Sequence, residues 1–456
     1  MGAEQRVDDA MPGDFDTGHR ALAERAREVL ESNWLGHATR PAAGLYPHQW
    51  SWDAGFIAIG YARFDTRRAA AELRSLFRGQ WSDGMLPHIV FNGGGESYFP
   101  GPDYWGTERS PYAPPRPRTS GIVQPPIHAT AALRTFRHAA DRDTARALLE
   151  ELMPRLAAWH GYLHRERVRP GIGLVEIWHP WESGMDNSPL WDEALSRIVP
   201  ARVRDWVRAD LDHADPAERP TDEDYLRYLH LVDLFRELSY DPERIRAATP
   251  FAVADVLMNT LWVQANRDLA SIADIVGADG SRFTAWADEA AAAMGEICWD
   301  DTLDVFVDFD LVAGAPICTR VGAAFAPLFA GIPDADQARR MVRRLHDEVG
   351  ERLGATTWMV PSFDPSEPGF MPTNYWRGPV WINVNWVLYQ GLRRYGYHVE
   401  AASLRASLLA LAERSGFFEH YDPVTGNGHG ADRFAWTAAL VLDLLFESGA
   451  DDAQTA

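Results

Sequence analysis

The sequence predicts an all-α protein, a toroid of paired helices with long loops gathered at one end. Apolar residues recur at the three- and four-residue spacing of amphipathic helices through most of the 456-residue chain. Strand-like stretches are scarce, and the best of them is 305–309 (Val-Phe-Val-Asp-Phe). Twelve helices with their connections would take about 38 residues each, which suits ordinary helix and loop lengths.

The first predicted helix has Leu22, Ala26, Val29 and Leu30 on one face and ends before Gly36. The same spacing predicts further helices over 54–62, 128–140, 144–165, 253–264, 281–297, 335–349, 380–395, 401–414 and 434–448. Segments rich in Gly, Pro, Trp and Tyr separate them, at 36–53, 80–125, 171–192, 358–379 and 416–433. Long loops inside a compact domain are usually functional, so we expect the site there.

The predicted organisation is one catalytic domain over 17–450, between a flexible N-terminus at 1–16 and a flexible tail at 451–456. Segment 195–248 differs from the rest because it is charged and departs from the helical pattern. We interpret it as an insertion that forms a lid.

Composition excludes several classes of function. The chain has 44 basic and 65 acidic residues, a net charge of −21, whereas nucleic acids and anionic membranes require clustered Lys and Arg. No apolar run reaches the roughly 18 residues of a membrane span. Cys298 and Cys318 are the two cysteines, too few for a disulfide framework, and the polar N-terminus has no signal-peptide core. A cytoplasmic protein fits these features.

Residues 178–191 (Trp-His-Pro-Trp-Glu-Ser-Gly-Met-Asp-Asn-Ser-Pro-Leu-Trp) are the most informative part of the chain. Aromatic faces bind sugar rings, and carboxylates and amides bind their hydroxyls. Asp186 lies beside Met185 and close to Trp191, and apolar neighbours raise the pKa of a carboxyl group, as a general acid requires. Glu419, in 416–423, is the candidate partner. The spacing alone leaves open that both are loop-capping carboxylates.

Residues 46–53 (Tyr-Pro-His-Gln-Trp-Ser-Trp-Asp) precede the apolar helix at 54–62. Asp53 is a candidate N-cap of that helix and equally a candidate ligand for sugar hydroxyls, and one residue can serve both roles. Trp50 or Trp52 would then stack on the ring. Both interpretations remain open from sequence.

Residues 375–381 (Tyr-Trp-Arg-Gly-Pro-Val-Trp) precede another predicted helix. Tyr375 and Trp376 come before the glycine and are well placed for a ligand, whereas Trp381 is equally compatible with the core. Gln124 offers an amide in a rigid turn. His88 is a further candidate, although spacing alone favours a buried structural histidine.

The sequence motifs give little support for a metal site or a phosphate site. His160 and His164 have the i, i+4 spacing of zinc ligands but lack the accompanying Glu. The aspartates between 301 and 310 do not match a calcium-binding loop. We therefore expect no metal and no cofactor.

Five co-ordered motifs, in 46–53, 124–128, 181–189, 375–381 and 418–422, resemble glycoside hydrolase family sixty-three, and within it the compact bacterial mannosylglycerate and glucosylglycerate hydrolases. The resemblance runs from about residue 20 to 447. It implies an (α/α)6 barrel, inversion at the anomeric carbon, Asp186 as general acid and Glu419 as general base. The residues expected around the sugar are Tyr46, Trp50, Trp52, Asp53, Gln124, Trp376 and Trp381, with His88, Trp181 and Gly184 as further candidates.

The resemblance also extends into the insertion. Residues 219–225 resemble a mobile loop whose Arg and Tyr bind glycerate, which assigns Arg219 and Tyr225 to a carboxylate, with Tyr98 and Tyr375 nearby. Segment 428–434 departs from the family pattern because it lacks a Gln before Trp436, so Asp432 or Arg433 becomes a candidate sugar contact.

The predicted function is an inverting α-glycosidase that hydrolyses glucosylglycerate, mannosylglycerate or both, with a small glycoside as its only expected partner. Two alternatives stay open. One is an α-glucosidase acting on a glucoside of the trehalose or kojibiose type. The other is a carbohydrate-binding protein without catalysis. The sequence does not choose between glucose and mannose, or between a monomer and a homo-oligomer.

Overall fold

The computed structural model describes residues 17–93, 98–200, 206, 208–212, 215–350 and 359–447. Within these ranges the chain is mostly helical, which confirms the all-α prediction at that level. The predicted flexible termini, 1–16 and 451–456, lie outside the described residues. The α-helices are α1 (Thr17–Asn33), α2 (Ser51–Tyr61), α3 (Thr66–Phe77), α4 (Pro102–Trp105), α5 (His128–His138), α6 (Arg142–Tyr162), α7 (Asp192–Ser196), α8 (Asp222–Glu237), α9 (Pro242–Ala248), α10 (Val256–Val276), α11 (Ser281–Ile297), α12 (Pro327–Ala330), α13 (Ala335–Gly350), α14 (Ile382–Arg394), α15 (His398–Ser415) and α16 (Ala435–Phe446).

Contacts between helices close a circuit. Helix α2 packs on α5, α5 on α10, α10 on α12, α12 on α14, α14 on α16, and α16 returns to α2. Other helices lie against members of this circuit: α1 on α16, α3 on α2, α6 on α5, α11 on α10 and α15 on α14. The described part of the chain is therefore built from adjacent helix pairs around a shared core.

Residue size decides how closely these helices approach. Every residue of α2 is buried, because neighbouring helices cover all of its faces. Gly60 faces α16 at a point where an added Cβ would lie 2.4 Å from the Cα of Ala439. Helix α1, by contrast, buries one stripe that contains Leu22, Ala26 and Leu30.

Short antiparallel strands fasten the loops at the ends of the helices. They are β1 (Gln49–Trp50) with β2 (Ile89–Val90), β3 (Val253–Ala254) with β6 (Asp308–Asp310) and β7 (Ala315–Ile317), β4 (Trp299–Asp300) with β5 (Val305–Phe306), and β8 (His420–Tyr421) with β9 (Gly428–His429). The pairing of His420 with His429 brings residues after β9 beside Glu419, which precedes β8.

The structure corrects some sequence-based boundaries. The predicted strand 305–309 is two strands that pair with different partners. Val253 was predicted to be helical, but it lies in β3, and α10 begins after Asp255, whose carboxylate caps it by accepting from the backbone N–H of Met258. The insertion 195–248 was placed outside the helical pattern, yet it contains α8 and α9. In the described ranges, no helix is long and apolar enough to cross a membrane.

Candidate active site

All five predicted loops and the insertion contribute to the wall of one cavity. The lining residues are Gly44, Leu45, Tyr46, Pro47, Trp50, Trp52, Asp53, His88, Tyr98, Phe99, Gln124, Trp181, Gly184, Asp186, Asp210, Arg219, Pro220, Tyr225, Tyr375, Glu419, Phe434 and Trp436. The wall combines aromatic faces with four carboxyl groups and one guanidinium. Such a mixture suits a ligand that has apolar ring faces and many hydroxyls.

The carboxylate of Glu419 is oriented by two hydrogen-bond donors and a nearby cation. The Tyr46 hydroxyl donates to Oε1 at 2.7 Å, the backbone N–H of Ala431 donates to Oε2 at 3.0 Å, and Nη1 of Arg219 lies 3.9 Å from Oε1. Burial raises the pKa of Glu419 above its ordinary value, and these donors oppose that rise. A buried carboxylate with this support can accept a proton from a ligand or from water.

Asp186 has a different environment. It keeps part of its surface open to the cavity while protein encloses the rest. Burial raises its pKa to about 6, a rise that Arg219 opposes and Glu419 reinforces. Its backbone oxygen accepts a 2.8 Å hydrogen bond from the Tyr228 hydroxyl, which anchors the loop. A carboxyl group with such a pKa is partly protonated near neutral pH and can donate a proton.

A buried carboxylate holds the loop that carries Asp186. Glu182 accepts from the backbone N–H groups of Trp178, at 2.6 Å, and Val123, at 3.2 Å. It also pairs with the buried guanidinium of Arg167, which lies over the Trp178 ring. The two N–H groups belong to separate loops, so Glu182 fixes the Asp186 loop relative to the turn that precedes Gln124.

Arg219 enters the cavity from the insertion. Its guanidinium lies over the Tyr375 ring at 4.2 Å, donates to the Tyr46 hydroxyl at 3.2 Å and donates to Asp210 at 3.3 Å. The acidic residues that follow in the chain, Asp222 and Glu223, pair with Arg208 and Arg227 instead of with Arg219. A cation held in this way can bind an anionic group of a ligand.

Tyr375 has a backbone φ of 39°, in the left-handed region that a residue with a side chain seldom adopts. This conformation accompanies a side chain whose hydroxyl lies 3.1 Å from that of Tyr46. Trp376 and Trp381 do not line the cavity, although sequence had grouped them with Tyr375. Their rings stack at 3.8 Å, and the indole of Trp381 donates to the backbone oxygen of Tyr375. They support Tyr375 from outside.

Trp50 and Trp52 form another part of the wall. Trp50 meets Tyr46 and Tyr98 edge to face, each at 5.3 Å. Trp52 lies against Gly184, where an added Cβ would be 2.0 Å from the indole ring. Gly184 also has a φ of 74°, so two independent constraints require glycine there.

Asp53 is the third residue of α2, and the N-cap position belongs to Trp50. Its carboxyl group lines the cavity, where burial raises its pKa well above the ordinary value and Glu419, Glu72 and Asp186 raise it further. Asp53 is therefore not the N-cap of α2, and that interpretation of the sequence is wrong. The group faces the same space as the two candidate catalytic carboxyls.

The remaining sequence candidates also line the cavity. His88 stacks on Trp181, and burial holds its pKa well below the ordinary value, so the ring is neutral near pH 7. Gln124 accepts from the backbone N–H of Trp52 at 3.1 Å. The Tyr225 hydroxyl donates to the backbone oxygen of Phe99 at 3.1 Å.

Three prominent wall residues have no sequence-based prediction, and two further predicted contacts, besides Trp376 and Trp381, do not reach the cavity. Asp210, Phe434 and Trp436 line the cavity. Asp432 and Arg433, the candidates proposed for the altered segment 428–434, are exposed and do not line it. The helical pattern of 434–448 is a usable signal for Trp436, because it puts this residue in the first turn of α16, directly after the 416–433 loop. Asp210 lies in a stretch without a motif.

This chain is similar in sequence to a known protein family and to individual enzymes. The family model described as the mannosylglycerate hydrolase MGH1-like glycoside hydrolase domain matches residues 46–437. A mannosylglycerate hydrolase from Rubrobacter radiotolerans is 46% identical over 428 residues, 93% of this chain and 97% of that protein. A glucosylglycerate hydrolase from Mycolicibacterium hassiacum is 39% identical over 449 residues, 95% of this chain and 100% of that protein.

Among solved structures, a glycoside hydrolase family 63 mannosylglycerate hydrolase from Thermus thermophilus, in complex with Tris and D-glycerate, superposes with a TM-score of 0.87. It is 46% identical, and the match covers 92% of this chain and 99% of that one. The resemblance inferred from the sequence is thus confirmed. The chain belongs to glycoside hydrolase family 63, in the group with the mannosylglycerate hydrolase MGH1-like domain.

Proposed function

We propose that this protein is an inverting α-glycosidase that hydrolyses mannosylglycerate, glucosylglycerate or both, to the free sugar and glycerate. Asp186 is the general acid and Glu419 the general base. We further propose that the helix circuit is the (α/α)6 barrel of the family.

One observation carries the choice of substrate. Arg219 lies inside the cavity, and its Nη1 is 3.9 Å from the carboxylate of Glu419. The same guanidinium also opposes the burial-driven rise in the pKa of Asp186, the proposed acid that faces the leaving group. A cation close to both carboxyls fits a substrate whose leaving group is itself an anion, such as glycerate. A planar guanidinium binds a carboxylate through parallel hydrogen bonds. Neither trehalose nor kojibiose has a group that requires it.

The proposed reaction takes place in one displacement. Asp186 gives its proton to the glycosidic oxygen as the bond from that oxygen to the anomeric carbon breaks. Glu419 takes a proton from a water molecule, whose oxygen attacks the anomeric carbon from the opposite face. The electron pair of the broken bond stays with glycerate, and the sugar is released with inverted configuration.

The relatives agree with this substrate class without fixing the sugar. The similar proteins include hydrolases of mannosylglycerate and of glucosylglycerate, and each of those matches covers more than nine-tenths of the chain. The cavity wall near Tyr46 is completed by Phe434 and Trp436, whose rings lie 5.0 Å apart and offer apolar surface. Such a surface stacks on either hexose.

A hydrolysis screen tests the proposal. The purified chain is incubated with mannosylglycerate, glucosylglycerate, trehalose and kojibiose, and free mannose, glucose and glycerate are measured. We expect release from at least one glycerate glycoside and little from the two disaccharides. The Asp186→Asn variant is the matched control for contaminating glycosidases.

Two outcomes oppose the proposal. Release of sugar from trehalose or kojibiose alone would favour the alternative function, an α-glucosidase that acts on a glucoside of that type. Binding of glycerate glycosides without release, in a correctly folded protein, would favour a binding function.

A further inference from the structure

Residues 215–221, here called the strap, cross one side of the cavity and carry Arg219. The carboxylate of Glu218 accepts from Nδ1 of His429 at 2.6 Å and from the backbone N–H of Gly430 at 3.1 Å. Both Glu218 and His429 are mostly shielded, with side chains 17% and 22% exposed. The strap is therefore attached to the loop that follows β9.

The same loop fixes Glu419. The backbone N–H of Ala431 donates to Oε2 of Glu419, and the backbone N–H of Glu419 donates to the oxygen of Ala431. An added Cβ at Gly430 would lie 2.5 Å from Oε2 of Glu419, so this loop touches the carboxylate directly. Two successive N–H groups, of Gly430 and Ala431, thus bind Glu218 and Glu419.

The strap has a second attachment on the side of Asp186. Its Ala217 oxygen accepts from the amide of Asn374 at 2.7 Å, and Asn374 accepts from Asn187 at 3.0 Å. Asn187 is the neighbour of Asp186 in the chain. Contacts from three successive strap residues therefore reach the surroundings of both carboxyl groups.

We propose that Glu218 and His429 form a latch that positions Arg219 and, through the 429–431 loop, the carboxylate of Glu419. This inference rests on the proposed function for its kinetic consequences. Glu218 and His429 are positioning residues, because neither lines the cavity. When Glu218 is bound to His429 and Gly430, the strap holds Arg219 in position for the carboxylate of the aglycone. The same contact holds Glu419 in position for the water molecule.

The position of the strap matters because Arg219 must contact several cavity residues at once. The guanidinium contacts Tyr46, Tyr375 and Asp210 and lies near Glu419. Those contacts need the backbone of the strap within a narrow range of positions, and a misplacement on the order of 1 Å in a catalytic site costs much of the rate. The carboxylate of Glu218 is adjacent in the chain and fixes that backbone through two donors.

The test compares Glu218→Ala, Glu218→Gln and His429→Ala with the control Glu223→Ala. Glu223 also lies in the insertion, but it pairs with Arg227 on the surface, where its side chain is 72% exposed. We expect Glu218→Ala to weaken D-glycerate binding in calorimetry, and to raise KM for a glycerate glycoside, by about tenfold, since a hydrogen bond to a charged group is lost. Glu218→Gln keeps an acceptor and should recover most of that loss.

Two further readouts separate positioning from general stability. In an Arg219→Ala background, Glu218→Ala should change KM by less than about twofold, because its effect on substrate binding passes through Arg219. Amide hydrogen exchange at Gly430 and Ala431 should accelerate in Glu218→Ala and in His429→Ala, and should stay unchanged in Glu223→Ala. The exchange measurement needs no substrate.

Unchanged exchange and unchanged KM in Glu218→Ala would overturn the latch, as would an equal loss in the Arg219→Ala background. If the unaltered protein neither binds D-glycerate nor hydrolyses its glycosides, the proposed function fails, while the exchange experiment still decides whether the latch exists.

Discussion

The hydroxyl of Tyr46 donates to Oε1 of Glu419 at 2.7 Å, and the same hydroxyl accepts from Nη1 of Arg219 at 3.2 Å. One phenol therefore joins the proposed base to the cation from the insertion. Burial raises the pKa of Glu419, and both Arg219 and the Tyr46 hydrogen bond lower it. The charged form of Glu419 thus depends on Tyr46.

Replacing Tyr46 by Phe removes one stabiliser of ionised Glu419, so its pKa should rise further. A general base must be deprotonated, and activity therefore increases as pH rises through that pKa. We expect the acidic limb of kcat/KM to move to higher pH in Tyr46→Phe. Tyr395→Phe, which removes a phenol that donates to the backbone oxygen of Pro333, is the control. An unchanged acidic limb would remove Glu419 from the base role or Tyr46 from its support.

Asp186 should set the opposite limb. Its pKa is raised to about 6, mainly by burial, and a general acid must be protonated, so kcat/KM should fall as pH rises through about 6.

Asp186→Ala and Glu419→Ala should each lower kcat by roughly 10²–10⁴ with folding intact. Circular dichroism checks the fold. A folded Glu419→Ala variant with near-normal turnover would contradict its assignment.

The stereochemical outcome follows from the family and from the use of a water molecule by Glu419. An α-glycoside should release the β-anomer first, because water attacks from the face opposite to the bond that breaks. Proton NMR of the first-formed sugar, recorded before mutarotation, distinguishes the anomers. Initial α-anomer would indicate a covalent intermediate and would exclude the single displacement.

Arg219→Ala should raise KM for glycerate glycosides, with a loss of roughly 1.5–3 kcal/mol for a hydrogen bond to a charged group. An uncharged glycoside of the same sugar should lose much less. Kinetics on the two substrates provide the comparison within one variant. Equal losses would show that Arg219 acts on Glu419 alone and would reopen the question of the aglycone.

Gly184→Ala should disable the Asp186 loop, because position 184 has a φ of 74° and an added Cβ would meet Trp52 at 2.0 Å. We expect a lower melting temperature and a lower kcat. Gly161→Ala is the matched control, since no atom lies within 4 Å of its added Cβ and its helix should gain from alanine. A Gly184→Ala protein with unaltered kcat would mean that Trp52 can move without affecting Asp186.

The sequence predicted long amphipathic helices well because each has a periodic stripe and a clear end. Helix α11 was predicted with its observed bounds, 281–297. Helix α8 was overlooked because charge dominates its composition. Its start nevertheless has an ordinary signal, since Thr221 caps it and three acidic residues occupy its first turn.

The site was predictable where aromatic and carboxyl residues cluster in one loop, as around Asp186 and Asp53. It was not predictable where tertiary packing decides which way a side chain faces. Trp376 follows Tyr375 directly, yet only Tyr375 reaches the cavity. Asp210 and Phe434 have no local pattern that marks them, and their positions depend on how the insertion and the 429–434 segment meet.

The net charge of −21 and the carboxyl groups around Arg219 have a consequence for how a substrate arrives. An anionic glycoside approaching this protein meets repulsion from the net charge at long range and attraction to Arg219 inside the cavity. Dissolved salt screens the long-range repulsion over about 8–10 Å. It leaves the attraction to Arg219, inside the cavity, largely intact. Added salt should therefore speed the encounter with an anionic substrate, which is the opposite of the slowing seen when opposite charges steer a complex together.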